Sequence, residues 1–163
     1  MCMFKNSILA SFVVLCLASC NPVGETIAEI PLSVGEISGS NVLDLKKGDV
    51  VTIWSKITQR SDNDEIPFNV KYNIESMGKS IAFDSLKATN GEHIINAEKS
   101  TESYTQSSSE GDSTKYYTLK KFEVENKKIT IPEDGKYNFD FKVVDGDYGF
   151  ANRDMLIILR KTR

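Results

Sequence analysis

The sequence predicts an all-β protein, a single antiparallel β-sandwich of about seven or eight strands with a jelly-roll or immunoglobulin-like arrangement. Three observations predict this fold class. Several segments alternate apolar and polar residues with a period of two, the spacing of a half-buried strand. Clusters of Gly, Pro, Asn and Asp separate these segments at short intervals. After the first twenty residues, no long segment repeats its apolar residues with the period of a helix.

The expected strands follow one another in order along the chain. A first, edge-like strand is expected between Ile27 and Ile37, where Pro31 interrupts the hydrogen-bond ladder. β-Branched and aromatic residues favour the later strands, and turn clusters such as Pro132–Gly135 separate them. These later strands are expected at 42–45, 50–57, 67–75, 81–86, near 94, 116–124, 128–131, 136–143 and 155–159.

Two of these strands alternate most clearly, and their apolar residues are expected to face the core. One face of the first carries Phe68, Val70, Tyr72 and Ile74. One face of the second carries Tyr137, Phe139, Phe141 and Val143. By contrast, residues 100–114 hold a single aromatic residue among small, polar and charged ones, so a long loop is expected there.

The first twenty residues have the pattern of a secretory signal. Lys5 precedes an apolar run from Ile8 to Ala18 that only Ser11 breaks. The run has about eleven residues, fewer than the roughly 20 that a membrane-spanning helix needs. Small residues follow it, so cleavage at the end of this segment is expected.

The residues at the cleavage site resemble the lipobox of bacterial lipoproteins. The four residues are Leu17-Ala18-Ser19-Cys20. The resemblance implies cleavage between Ser19 and Cys20, a thioether-linked diacylglycerol on Cys20, and acylation of the new amino group by a fatty acid such as palmitate. Asn21 follows, and by resemblance to enteric Gram-negative lipoproteins a residue other than Asp here favours the outer membrane. The alternative is an ordinary cysteine after a plain signal peptide.

These features divide the chain into three parts. Residues 1–19 form the signal peptide, 20–40 the lipidated cysteine and a tether that includes the candidate edge strand, and 41–163 the β-sandwich domain. Cys2 and Cys16 leave with the signal, so no disulfide is expected in the mature chain. The domain must therefore be stabilised by its hydrophobic core.

The last strands resemble those of GOLD-type and jelly-roll accessory domains. In such domains an apolar strand, a Pro/Gly turn and a Gly-x-Tyr-x-Phe strand recur, as they do in residues 129–141. The resemblance covers about 35 residues of the chain. It implies a β-sandwich and identifies no ligand.

Charge and composition exclude several classes of function. The net charge is −3 and there is no basic excess, so nucleic-acid binding is not expected. His93 is the only histidine, which leaves little basis for histidine-dependent catalysis or zinc chemistry. No nucleophile motif such as Gly-x-Ser-x-Gly occurs. We therefore expect a non-enzymatic protein without a cofactor, in which His93 is a solvated turn residue.

Two segments are rich in oxygen ligands. One is a candidate calcium site, made of Asp145, Asp147, Asn152 and Asp154. Its spacing does not match an EF-hand, and Asp is also common in ordinary turns, so no metal is the main expectation. The other holds Asp62, Asp64 and Glu65, which are expected to form a solvated loop rather than the carboxylate pair of a glycosidase.

Aromatic residues and two serines complete the candidate sites. Trp54, Tyr104 and Tyr148 offer flat rings that can stack on a sugar, although core packing is the favoured role for Trp54. Ser85 and Ser113 lie in Asp-Ser-Leu and Asp-Ser-Thr triplets, which resemble the O-glycosylation acceptor of one Gram-negative phylum. Ser113, in its polar segment, is expected to be the more accessible of the two.

Taken together, these features predict a lipid-anchored, non-enzymatic protein of the bacterial envelope that works by binding. A binding or accessory subunit of an envelope protein complex is the first expectation, because the sequence lacks the clustered aromatic residues of a sugar-binding surface. A surface glycan-binding lipoprotein is the alternative, and a hydrolase the second alternative. The membrane is contacted through the N-terminal lipid.

Overall fold

A computed structural model describes residues 23–61, 68–109, 111–145 and 154–162. These residues form ten strands in two antiparallel sheets, so the predicted all-β sandwich is confirmed. The strands are β1 (Glu25–Pro31), β2 (Ile37–Gly39), β3 (Leu43–Leu45), β4 (Val50–Ser61), β5 (Asn69–Ser76), β6 (Lys79–Lys87), β7 (Ile94–Ser108), β8 (Gly111–Thr130), β9 (Gly135–Asp145) and β10 (Asp154–Thr162).

The two sheets are built from strands that are mostly distant in sequence. The first sheet has the order β1-β10-β4-β8-β7, and the second the order β2-β9-β5-β6, with β3 also paired to β9. The candidate edge strand is present, since among the described strands β1 pairs with β10 alone, and it ends at Pro31. Among the residues that the structure describes, no helix is long and apolar enough to cross a membrane.

The core lies between the sheets and contains the residues that alternation placed there. All eight apolar residues assigned to these two inner faces are buried: seven lie on β5 and β9, and Phe68 lies just before β5. Tyr137 is fully buried, and its hydroxyl donates a hydrogen bond of 2.8 Å to the carbonyl of Glu133 in the preceding turn. Such a tyrosine, bonded to backbone a few residues upstream, is a recurrent anchor of β-sandwich corners.

The expected long loop at 100–114 is instead part of a β-hairpin. β7 and β8 pair continuously from Glu98 with Lys121 to Ser108 with Gly111. The prediction was wrong because both faces of this ribbon are exposed to solvent. Neither face has to be apolar, so the sequence shows no alternation of apolar and polar residues. Strand-favouring residues such as Thr105 and Tyr116 remain as the only local signal.

The strands expected at 116–124 and 128–131 are a single strand, β8, that contains a bulge. β4 pairs Trp54 with Glu125 and Ile53 with Lys127, which leaves Asn126 as the extra residue on β8. The polar residues around Asn126 predicted a break between two strands, whereas the hydrogen-bond ladder between β4 and β8 continues on both sides of Asn126.

Candidate functional site

The most prominent surface feature is the distal part of the β7–β8 hairpin, residues 102–117, which we call the arm. β4 ends at Ser61, opposite Thr118, so beyond this point β7 and β8 pair only with each other among the described residues. The arm runs over seven residue pairs, from Glu102–Tyr117 to Ser108–Gly111. At about 3.3 Å per residue, it projects roughly 23 Å beyond the end of β4.

The side chains of the arm face solvent on both sides. With the exception of Tyr117, every arm side chain whose placement is described is exposed. Tyr104 is 49% exposed and Tyr116 is 68% exposed. Cross-strand pairing places Tyr104 on the same face as Tyr117, and Tyr116 on the other face. An exposed two-stranded ribbon with an aromatic residue on each face is suited to contact with another molecule.

A network of three side chains fixes the base of the arm. The guanidinium carbon of Arg60, at the end of β4, lies 3.8 Å from the ring centroid of Tyr117. Arg60 donates a hydrogen bond to the hydroxyl of Tyr117, which in turn donates one to the carboxylate of Glu102. The bond to Glu102 and burial raise the pKa of Tyr117, and the charge of Arg60 opposes this only in part. Tyr104 packs beside this network, with its ring centroid 6.1 Å from that of Tyr117.

The arm lies at the opposite end of the sheet from the start of β1. Glu25 pairs with Lys161 and Lys161 with Val51, so the first residue of β1 lies level with the beginning of β4. Ser61, at the other end of β4, marks the base of the arm. The ten residues between these levels correspond to roughly 30 Å along the strand.

Trp54 is 3% exposed, so its indole has no free face that could cover a sugar. Alternation along β4 places Ile53 in the core and Trp54 on the outer face of the sheet. There the guanidinium carbon of Arg160 lies 4.9 Å from the Trp54 ring. Arg160 also donates a hydrogen bond of 2.6 Å to Glu123, so a buried ion pair covers the tryptophan.

The other predicted site residues are dispersed. Ser85 is exposed on β6, where its backbone N–H donates to the Asp84 carboxylate, and Ser113 is exposed on the arm. Of the candidate calcium ligands, Asp145 ends β9 and Asp154 begins β10. The remaining predicted residues lie outside the described residues: Ser19, Cys20, Asp62, Asp64, Glu65, Asp147, Tyr148 and Asn152.

His93 lies beside carboxylates that the sequence did not associate with it. Its Nδ1 is 3.0 Å from Oε2 of Glu125, next to the β8 bulge. Ligand atoms of Glu92, His93 and Glu125 all lie within 4.8 Å of one another. A neighbouring cavity of about 470 Å³ is lined by residues of both segments: Asn90, Gly91, Glu92, Glu125, Asn126, Lys127 and Lys128.

The bulge holds the segment that carries Glu92 and His93. The Asn126 amide donates to the carbonyls of Lys87, Ala88 and Asn90 at 3.1–3.2 Å, and its oxygen accepts a bond of 2.6 Å from Ser55. Gly91 is pressed against β8 so closely that a Cβ there would lie 1.9 Å from the Glu125 carbonyl oxygen. Only glycine fits this position without a shift of the backbone.

Glu125 is held as a carboxylate although it is nearly buried. Burial raises the pKa of Glu125, but hydrogen bonds from Lys128 and His93 outweigh it, so the pKa lies below the ordinary glutamate value. Lys128 Nζ lies 2.7 Å from Oε1, which leaves Oε2 to His93. Sequence patterns gave no sign of this cluster, because the His93–Glu125 contact depends on long-range pairing of β7 with β8.

No family model matches this chain, and no curated protein has a significantly similar sequence.

Proposed function

We propose that this chain is a lipid-anchored, non-enzymatic protein of the bacterial envelope that acts as a binding or accessory subunit, with the arm as its contact surface. The observation that carries the proposal is the arm itself, a solvated ribbon with Tyr104 and Tyr116 exposed on opposite faces. Isolated two-stranded ribbons are marginally stable, so an arm of this length adds little to the stability of the fold by itself. Contact with another molecule would stabilise it.

The position of the arm suits a protein attached through Cys20. β1 begins at Glu25, five residues after Cys20, so little chain separates the lipid from the sheet. Because β1 begins at the opposite end from the arm, a lipid on Cys20 would leave the arm pointing away from the membrane. In the proposal, the outer membrane holds the sandwich and the arm reaches a partner roughly 50 Å from the anchored end.

A protein partner is favoured over a glycan by the burial of Trp54. A sugar-binding platform needs a ring with one free face, and the one tryptophan is covered by Arg160. The glycan alternative would therefore depend on Tyr104 and Tyr116, which lie on opposite faces of a narrow ribbon and cannot form one flat platform. The hydrolase alternative would also need a nucleophile beside His93, and the side-chain contact that the structure gives this ring is with the carboxylate of Glu125.

Capture from solubilised envelope tests the proposal with an arm-shortened variant. In this variant an Asn-Gly turn joins Glu102 directly to Tyr117, a type I′ connection suited to a two-residue hairpin. We expect wild type to capture a stoichiometric protein partner and the shortened variant to lose it, with little change in melting temperature. Phe83→Ser is the matched control, because Phe83 is 70% exposed on β6, away from the arm.

Two outcomes would contradict the proposal. Equal capture of the partner by wild type and the shortened variant would show that the arm is not the contact surface. Capture of polysaccharide without protein would replace the protein partner by the glycan alternative. Proteins and bound sugars are therefore both identified in the captured fraction.

A further inference from the structure

We propose that Glu92, His93 and Glu125 form a binding site for a first-row divalent transition metal ion, with Zn²⁺ as the probe ion. The sequence offers a single histidine, but the β8 bulge brings it together with two carboxylates. The site is separate from the arm, so it adds a property that the proposed binding function neither requires nor implies.

The distances suit a small tetrahedral ion. Zinc binds imidazole nitrogen and carboxylate oxygen at roughly 2.0–2.2 Å, which places neighbouring tetrahedral ligand atoms about 3.3 Å apart. His93 Nδ1 and Glu125 Oε2 are 3.0 Å apart, close to this separation. One ligand atom from each of Glu92, His93 and Glu125 lies within 4.8 Å of the other two. Glu92 and His93 are exposed, so their side chains have room to move towards an ion.

The backbone around the ligands is already fixed. The Glu125 N–H donates to the carbonyl of His93 at 2.9 Å, and the Glu92 N–H donates to the carbonyl of Glu125 at 3.3 Å. Together with the Asn126 bonds and the close approach of Gly91, these contacts hold both segments in register. A prearranged backbone lowers the entropy lost when an ion gathers its ligands.

The charges around the site allow a divalent cation to bind. Lys128 bonds to Oε1 of Glu125, so Oε2, the oxygen beside His93, is the one that can act as a monodentate ligand. An outer hydrogen bond of this kind commonly orients a metal-binding carboxylate. The ammonium of Lys127 forms an ion pair with Asp84, at 3.7 Å, and not with the carboxylates of the site. Two carboxylates and one nearby ammonium give the site a net negative charge before the ion binds.

The ligand set selects among metals by chemical type. Imidazole favours zinc, copper, nickel and iron over calcium and magnesium, which prefer an all-oxygen shell. Three protein ligands leave one tetrahedral position available to water. The ion would join the segment before β7 to β8 and so strengthen the root of the hairpin.

The test titrates the full mature lipoprotein in detergent with ZnCl₂ by calorimetry, and with Co²⁺ by visible absorption. We expect one equivalent of Zn²⁺ to bind and a Co²⁺ spectrum typical of tetrahedral coordination. Ca²⁺ and Mg²⁺ should not compete. His93→Ala and Glu92→Gln should each weaken Zn²⁺ binding by about tenfold or more. Both residues are exposed, so these variants should fold, and Glu36→Gln serves as an exposed acidic control.

Three results would overturn the inference. The first is no heat of Zn²⁺ binding by wild type. The second is an affinity that His93→Ala leaves unchanged, which would mean that the ion binds elsewhere on the chain. The third is equal loss in Glu36→Gln, which would mean that general surface charge and not this cluster attracts the ion.

Discussion

At the scale of single residues, the turn between β5 and β6 contains a strained position. Met77 and Gly78 have φ values of 52° and 74°, as both central residues of a type I′ hairpin turn require. Gly78 adopts this conformation readily, but methionine does so at a cost of about 1–2 kcal/mol. Met77 is 91% exposed, so no burial of its side chain offsets the strain.

We predict that Met77→Asn stabilises the protein. Asparagine tolerates the left-handed conformation, so the free energy of unfolding should rise by about 0.5–1 kcal/mol. Chemical denaturation measures the change, and the midpoint should move at constant slope. The control is Val42→Asn, because Val42 is also exposed but has no positive φ. A lower midpoint for Met77→Asn would contradict the assigned turn geometry.

At the scale of elements, sequence patterns predicted the strands that bury one face and missed those that do not. Alternation identified β5 and β9, because each must send every second residue into the core. The arm contains no such constraint, so its residues were assigned to a loop. The bulge at Asn126 was equally invisible, since its effect depends on partners such as Ser55, 71 positions away. Likewise, His93 was expected to be a solvated turn residue, and its contact with Glu125 has no counterpart in the local sequence.

The base of the arm gives a pH-dependent prediction. The hydrogen bond to Glu102 is the largest cause of the raised pKa of Tyr117. Because the pKa of Tyr117 is higher in the folded protein than in the unfolded chain, the protonated hydroxyl stabilises the fold. This stabilisation is complete below about pH 10, the pKa of tyrosine in the unfolded chain, and is lost as the pH rises through the folded-state pKa. Glu102→Gln removes the carboxylate and should lower the pKa of Tyr117.

Ultraviolet titration of tyrosine ionisation measures this change. In wild type, Tyr117 should ionise above the ordinary tyrosine pKa. Tyr117→Phe identifies its contribution to the curve, and Glu98→Gln, an exposed β7 position outside the arm, should leave that contribution unchanged. If Glu102→Gln also left it unchanged, the hydrogen bond at the arm base would not exist in solution.

At the scale of the whole molecule, composition and alternation predicted the sandwich, and only the strand pairing revealed its polarity. The order β1-β10-β4-β8-β7 places the N-terminal strand at one edge and the hairpin at the other. The antiparallel register then sets the start of β1 and the arm at opposite ends of the sheet. A lipid on Cys20 would therefore hold the β1 end of the sandwich near the membrane and leave the arm end away from it.

The central claim is the proposed lipid on Cys20, and intact mass spectrometry of the chain purified from membranes tests it. We predict a mature chain that begins at Cys20 and carries the added mass of a diacylglycerol and a further acyl group, whereas Cys20→Ala should give unmodified precursor. Any additional mass removed by mild β-elimination would assign O-glycosylation, with Ser85 and Ser113 as the positions to substitute. A wild-type chain cleaved elsewhere, or one without lipid on Cys20, would contradict the anchored protein with an outward-facing arm proposed here.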